Sequence, residues 1–421
     1  MAERNIVEVQ GLEVKFYTYS GVVEALDGVN LFIKEGEILG LVGETGCGKS
    51  VTSLSIMRLV PPPGMIEGGK ILYNSPSKQQ DILAINEDSV RKLRGKDISM
   101  IFQEPRAYLN PVYTVGDQIS EVILVHRKDE LLKKSIESVK KKRIAELEKK
   151  KANLEKQKTE LETRKGTEKQ RLELEERKTK LEKQIINIRP NSEIRTYKRM
   201  LGAHSRVARL VAAFFSRFNR KRQFTVEVRE EVVRVLKSVE IPDPERVAKM
   251  YPHELSGGMA QRAVIAMALA CNPTVLIADE PTTNLDVTVQ AQILNLIKTL
   301  KKNLGSSILY ITHDLGVVAQ SCDRVAVMYA GNVIETADVF ETFSSPLHPY
   351  TIALLESIPR PGVPFKSIPG IVPSLINPLR GCRFHDRCSY AMEICLKVKP
   401  PFKEVKSGHY VSCHLYYGGS K

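Results

Sequence analysis

No stretch of this chain approaches 18 consecutive apolar residues, which excludes a membrane-spanning helix of ordinary length. The opening, "MAERNIVEVQ", has neither the basic head nor the apolar core of a secretory leader. Together these absences lead us to expect a protein that is cytosolic or docked on the cytosolic face of a membrane. Cysteine is scarce, seven in 421 residues. In a reducing compartment disulfides are rare, so gathered thiols point to metal. Four of the seven fall in the last forty residues: Cys382, Cys388, Cys395 and Cys413, spaced C-x5-C-x6-C-x17-C. The C-x2–4-C knuckle of structural zinc sites is missing. Proline is missing from 128–188.

What is present is ordinary for a water-exposed protein: 42% hydrophobic and 27% charged residues. The length suffices for two or three domains. The net charge of +14 is concentrated. His126 to Thr225 holds 31 Lys+Arg against 14 Asp+Glu, and the rest of the chain balances at −3. The basic character therefore belongs to one internal block and does not by itself imply nucleic acid. Within that block Leu147, Leu154 and Leu161 are seven apart, as are Leu174, Leu181 and Ile188. The two series flank "RKGTEK", where Gly166 can turn the chain. This spacing predicts an antiparallel coiled-coil hairpin, in preference to a solvated single helix or a partly disordered linker. Further on, "SRVARLVAAFFSRFNRKRQF" reads as a basic amphipathic helix, with Val207, Leu210, Val211, Phe214, Phe215 and Phe218 on one stripe. Such a stripe packs on its own protein or on anionic lipid.

Outside the block, residues 5–42 read as short strands with Gly punctuation, and strands recur near 70–73, 98–102, 274–279, 307–312 and 325–335. Helical patterns alternate with them, which predicts an α/β sheet containing parallel strands. "GETGCGKS" at 43–50 lies between a strand and a helix, the setting of a phosphate-binding loop. Its glycines let backbone N–H groups face phosphate, and the helix N-terminus adds positive potential. Gly43, Gly46, Cys47, Gly48, Lys49, Ser50 and Val51 are the candidate contacts. Lys49 reaches the β- and γ-phosphates, and Ser50 holds Mg²⁺. Cys47 is a small residue that fits the loop; its alkylation is expected to block nucleotide by bulk. "TVLIADEP" at 274–281 is an apolar strand ending in two carboxylates. Asp279 completes the magnesium shell, and Glu280 polarises the attacking water. "LSGGMAQR" at 255–262 puts Ser256, Gly257 and Gly258 before a second helix, a second anion site. One nucleotide does not need two such sites, so a head-to-tail dimer sharing its ATP is expected.

With these motifs in view, the chain resembles the ATP-binding subunits of ABC proteins over about 1–125 and 226–340. The resemblance implies ATP and Mg²⁺ as ligands. It implies Gln103 of "IFQEP" as the Q-loop residue, also near magnesium, Asp286 of "TTNLDV" as the D-loop residue and His313 of "YITHDL" as the switch histidine. Phe16 or Tyr17, with Phe16 preferred, is to stack on adenine. Finer features resemble the oligopeptide/dipeptide importers: "FQEPRAYLNPVYTVGDQISEV", "YPHELSGGMAQR", "ADEPTTNLDVTVQAQIL", "SPLHPYTIALLESIP" and the cysteine block. Ala260 departs from a signature position that is often polar. The 126–225 insertion is longer than the family typically carries, so its role is not inherited.

The resemblance implies a 4Fe-4S cluster on Cys382, Cys388, Cys395 and Cys413, one thiolate per iron. Zinc and metal-free buried thiols stay open as alternatives, and His385, His409 and His414 are read as scaffold. The expected architecture is α/β: an ABC ATPase (P-loop) domain over 1–125 and 226–340, with an antiparallel β subdomain and a helical subdomain. Added to it are an inserted helical/coiled-coil hairpin region over 126–225 and a small Cys-rich C-terminal extension over 341–421. The expected function is to power oligopeptide or dipeptide import from the cytoplasmic side of the cell membrane. Expected partners are two permease subunits, a homologous second ATPase, an extracellular substrate-binding protein and the membrane surface, without nucleic acid. The competing readings are a coiled-coil-bearing ABC ATPase acting on DNA, and an importer of another substrate such as nickel.

Overall fold

The computed structural model describes residues 4–75, 78–163, 168–186, 219–283, 285–359, 362 and 367–417. The chain divides into two compact units, Met1–Gln118 with Leu236–Lys421, and Ile119–Val235.

The first unit is built on two sheets. A four-stranded antiparallel sheet has the order β2-β1-β4-β5, with β1 Asn5–Thr18, β2 Gly21–Lys34, β4 Gly64–Asn74 and β5 Gln79–Asp81. The first two strands are longer than the sequence reading predicts. Gly11 and Gly28 do not end them; they lie within 14-residue strands whose register shifts between Val9 and Leu12. A bulge keeps the ladder running past a glycine.

An eight-stranded sheet has the order β11-β12-β10-β9-β3-β8-β7-β6. Its strands are β3 Ile38–Val42, β6 Ile98–Ile101, β7 Val275–Asp279, β8 Ser307–Ile311, β9 Arg324–Tyr329, β10 Asn332–Asp338, β11 Lys403–Lys406 and β12 His409–Val411. From β9 to β6 the pairings are parallel, and the remainder are antiparallel. Every residue of β3, β6, β7, β8 and β9 is buried. That is why these strands read as largely apolar runs, with Ser99, Asp279, Ser307 and Arg324 buried among them. Leu39, Leu41, Ile277 and Leu309 join Ile6, Leu12, Leu31 and Ile33 of the antiparallel sheet in one core. Strands β11 and β12, from the cysteine-bearing extension, continue this sheet at β10, with Glu335 opposite Val411.

The helices that matter below are α1 Lys49–Ile56, α2 Glu87–Leu93, α3 Val115–Thr163, α4 Glu168–Ile186, α5 Asn219–Ser238, α6 Gly257–Leu269, α7 Val287–Leu304, α8 Leu315–Ser321 and α9 Pro349–Glu356. None among the described residues is long and apolar enough to cross a membrane.

The described residues of the second unit, within Ile119–Val235, lie on α3, α4 and α5. Ion pairs join α3 to α4: Lys151 to Glu182 at 2.7 Å, Glu155 to Lys178 at 2.9 Å and Lys158 to Glu175 at 2.6 Å. Each step forward on one helix is a step back on the other, so the two run antiparallel. Leu147 is buried, and Leu154, Leu174 and Leu181 are half-buried. Gly166, Ile188 and the amphipathic stripe at 205–218 lie outside the described residues.

Candidate functional site

Strands β3, β8, β7 and β6 are parallel neighbours. Their C-terminal ends therefore share one edge, where doubly wound α/β proteins place their ligands. Each delivers one motif to that edge.

Leaving β3, the chain passes through 43–48 into α1. Gly43 has φ 152°, and a Cβ there would stand 2.1 Å from the Met328 carbonyl oxygen. No residue with a side chain fits that approach. Cys47 is fully buried and burial pushes its thiol pKa up. It is packed under the loop, where a small side chain fits. Lys49 is buried and donates to the carbonyl oxygens of Gly43 at 2.8 Å and Glu44 at 3.0 Å. Ser50 is exposed, Val51 half-buried.

Asp279 ends β7. Burial raises its pKa above the usual carboxylate range, the Ser50 hydroxyl and Lys49 pull it back, and Glu280 pushes it further up. Its Oδ1 is buried and, among the described residues, has no hydrogen-bond partner. Glu280 follows in a left-handed conformation, φ 46°, a strained state for a residue with a side chain. Its carboxylate is the meeting point of the site. The Thr283 hydroxyl donates to Oε2 at 2.9 Å, Gln103 Nε2 approaches the same oxygen at 3.5 Å, and His313 Nδ1 lies 3.2 Å from Oε1. Gln103 follows β6 and His313 follows β8, so both arrive through strand order and not chain proximity. Thr283 was missed by sequence reasoning. Its signal is its place in "TTNLDV", three residues after Glu280.

Other predicted residues stand elsewhere. Ser256 caps α6, its hydroxyl accepting from the Met259 amide at 3.3 Å. A Cβ on Gly257 would meet only Leu285, and one on Gly258 would meet Val289. The amides opening α6 thus neighbour the segment carrying Asp286. Asp286 caps α7, accepting from the Val289 amide at 2.9 Å. Ala260 is fully buried, so no polar group is needed there. Phe16 is half-buried with its ring over Gly64 and packed on the core, whereas Tyr17 is exposed and donates to Glu67 at 2.9 Å.

The four late cysteines, Cys382, Cys388, Cys395 and Cys413, line one small cavity with Phe384, Met392 and Leu415. Burial pushes Cys382 up to about 12 and Cys413 to about 11, and raises Cys388 as well. The backbone at Phe384, Tyr390 and Leu415, each two residues past a cysteine, partly offsets that rise. Among the described residues, no group of three or more His, Cys, Asp or Glu side chains is arranged to hold a metal ion. The nearby histidines are occupied. His385 contacts the Cys382 carbonyl oxygen at 3.0 Å, His409 the Glu335 carboxylate at 2.7 Å and His414 the Val398 carbonyl oxygen at 2.9 Å.

A phosphate loop, a buried strand-end carboxylate and a second carboxylate gripped from neighbouring strands define a nucleoside triphosphatase of the phosphate-loop class. The comparisons narrow this. The ABC transporter family profile matches residues 26–283, and that of the oligopeptide/dipeptide transporter C-terminal region matches 334–395. The oligopeptide transport ATP-binding protein OppD of Bacillus subtilis is 39% identical over 417 residues, covering 98% of this chain and 89% of that protein. The dipeptide transport ATP-binding protein DppD of the same organism is 38% identical over 414 residues, covering 97% and 94%. A probable peptide ABC transporter ATP-binding protein of Sinorhizobium fredii, y4tR, is 39% identical over 413 residues, covering 97% and 94%. The chain belongs to the ABC transporter family, as an ATP-hydrolysing cassette with the oligopeptide/dipeptide transporter type of C-terminal region.

Proposed function

We propose that this chain is an energising subunit of a peptide importer, acting on the cytoplasmic side of the membrane. The observation that carries the chemistry is the convergence of Gln103, Thr283 and His313 on Glu280. The peptide class rests on the C-terminal-region match at 334–395 and on relatives named for peptide transport. Those matches favour transport over a DNA-acting ATPase and over a nickel importer.

In this reading the amides of 43–50 and Lys49 bind the ATP phosphates. Ser50, Asp279 and Gln103 supply hard oxygen donors that fit magnesium, and the unpartnered buried Oδ1 of Asp279 supports this. Bound magnesium supplies positive charge against the β- and γ-phosphates. Glu280 polarises the attacking water, and His313 contacts the γ-phosphate. Ser256, Gly257 and Gly258 cover the ATP held by a second, homologous cassette, while Asp286 lies at that shared interface. Phe16 or Tyr17 stacks on adenine; the exposure of Tyr17 supports the latter. Closure of the dimer moves two permease chains docked near Gln103, and an extracellular binding protein delivers the substrate.

The cysteines hold a 4Fe-4S cluster. Four cysteines lining one small cavity support it. Iron and sulfide assays on anaerobically purified protein test this; iron-free, zinc-loaded protein would overturn it. The antiparallel α3–α4 pair is read as a coiled-coil arm reaching the membrane surface or another subunit.

The deciding experiment is a mild-detergent pull-down of the tagged chain from its native membranes with mass spectrometry. Two multi-spanning chains, a second ATPase and a secreted binding protein carrying peptide are expected. Recovery of DNA-associated partners without any multi-spanning chain would sink the proposal.

A further inference from the structure

The seven residues from Cys382 to Cys388 carry two arginines, and both end on the phosphate loop or the turn beside it. Arg387 donates from Nη1 to Oε2 of Glu44 at 2.8 Å and from Nη2 to Oε1 at 3.0 Å. Its Nε donates to the Pro369 carbonyl oxygen at 2.8 Å, and its side chain is 5% exposed. This is a two-pronged ion pair largely shielded from water, the geometry in which arginine is hardest to replace. Glu44 is the second residue of the loop. Its own amide donates to the hydroxyl of Tyr350, a fully buried side chain on α9. Phe384 packs edge-on against Tyr350 and Tyr329 and so joins the extension to both.

Arg383 holds the other end. It donates to the carbonyl oxygen of Ala330 at 2.6 Å and pairs with the Glu24 carboxylate at 3.1 Å. The next residue, Gly331, donates its amide to the Cys47 carbonyl oxygen at 2.8 Å. The loop is therefore gripped at Glu44 directly and at Cys47 through one turn, in both cases from residues more than 300 positions later in the chain.

Charge gives this grip a second consequence. Glu44 puts a carboxylate on a loop that must receive a polyanion. Without Arg387 that carboxylate repels the incoming phosphates and is free to swing; with Arg387 it is neutralised and its peptide is oriented.

We propose that Arg387 is a positioning residue for nucleotide binding: the Cys382–Cys388 segment clamps the phosphate loop through Glu44, making the C-terminal extension a determinant of ATP affinity. The inference rests on the reading of 43–50 as the nucleotide phosphate site.

The test titrates the full-length protein with fluorescent ATP and ADP analogues and magnesium. Arg387→Met is expected to weaken the ATP analogue roughly tenfold and the less charged ADP analogue less, as loss of a buried charge partner requires. Arg387→Lys keeps the charge without the fork and is expected to fall between. Adding Glu44→Gln to Arg387→Met removes the stranded carboxylate and is expected to restore most of the affinity. A merely structural arginine would not show that rescue. Wild-type affinity in Arg387→Met, or a loss that Glu44→Gln deepens, overturns the clamp. Lys49→Ala separates the two ideas. If it binds the analogue as the wild type does, the reading of 43–50 fails; if it abolishes binding while Arg387→Met does not weaken it, the clamp alone fails.

Discussion

Glu280 is the residue on which the site turns. Three side chains hold its carboxylate, from β6, from β8 and from the turn after β7. Its backbone occupies a conformation that residues with side chains rarely adopt. Glu280→Gln keeps the shape and the hydrogen-bonding length but cannot act as a base. We expect hydrolysis to fall by at least ~100-fold while ATP stays bound, seen by phosphate release alongside nucleotide retention on a filter. Hydrolysis at the wild-type rate would move the base to another residue. At this scale the sequence was informative. Lys49, Ser50, Asp279, Glu280, Gln103 and His313 were all singled out from motifs. Each motif is a short run in which backbone geometry and chemistry are specified together, and the fold brings Gln103 and His313 up to Glu280. Thr283 lies inside the "TTNLDV" run, from which only Asp286 was singled out; Tyr350 and Arg387 escaped, since neither belongs to a run that signals phosphate chemistry.

Among the elements, the buried strands were the most legible. β3, β7 and β8 are largely apolar runs, apart from Asp279 and Ser307 at strand ends, because parallel strands are covered on both faces. β11 was not legible: "KEVK" is mostly exposed and carries no apolar pattern. It becomes a strand by pairing with β12. In the helical unit, Glu231 of α5 is almost fully buried and receives Arg127 of α3 at 2.7 Å. Arg127 also holds Glu130, and Lys134 and Arg234 add positive charge beside Glu231. Glu231→Ala would leave Arg127 with Glu130 alone and remove the acceptor that Arg127, Lys134 and Arg234 share. Losing such a charge-assisted contact costs about 2 kcal/mol, to be read from a denaturant melt of the helical signal. A change below about 0.5 kcal/mol would mean the pair is solvated and of little consequence.

For the whole molecule, the division into two units has a functional corollary. Every residue placed in the ATP site lies in Met1–Gln118 or Leu236–Lys421. Replacing 128–222 with a short Gly/Ser linker should therefore leave ATP affinity within about twofold, as for independent sites. Co-sedimentation with membranes should decrease, in line with a basic arm that reaches the membrane surface. Unchanged co-sedimentation and transport would remove that role from the insertion, and lost ATP affinity would tie the site to it.

The sequence by itself determined the local pieces: the loop between strand and helix, the two carboxylates at a strand end, the seven-residue leucine spacing and the confinement of positive charge to one block. These are set within about 20 residues by backbone preference and side-chain period. Tertiary structure alone decided which pieces meet. The strand order β3-β8-β7-β6 scrambles chain order, so Gln103 and His313 reach Glu280 only once the sheet has assembled. Arg387 reaches Glu44 across 343 positions for the same reason. A buried charge has to find its partner wherever packing places it, and no local pattern encodes that distance.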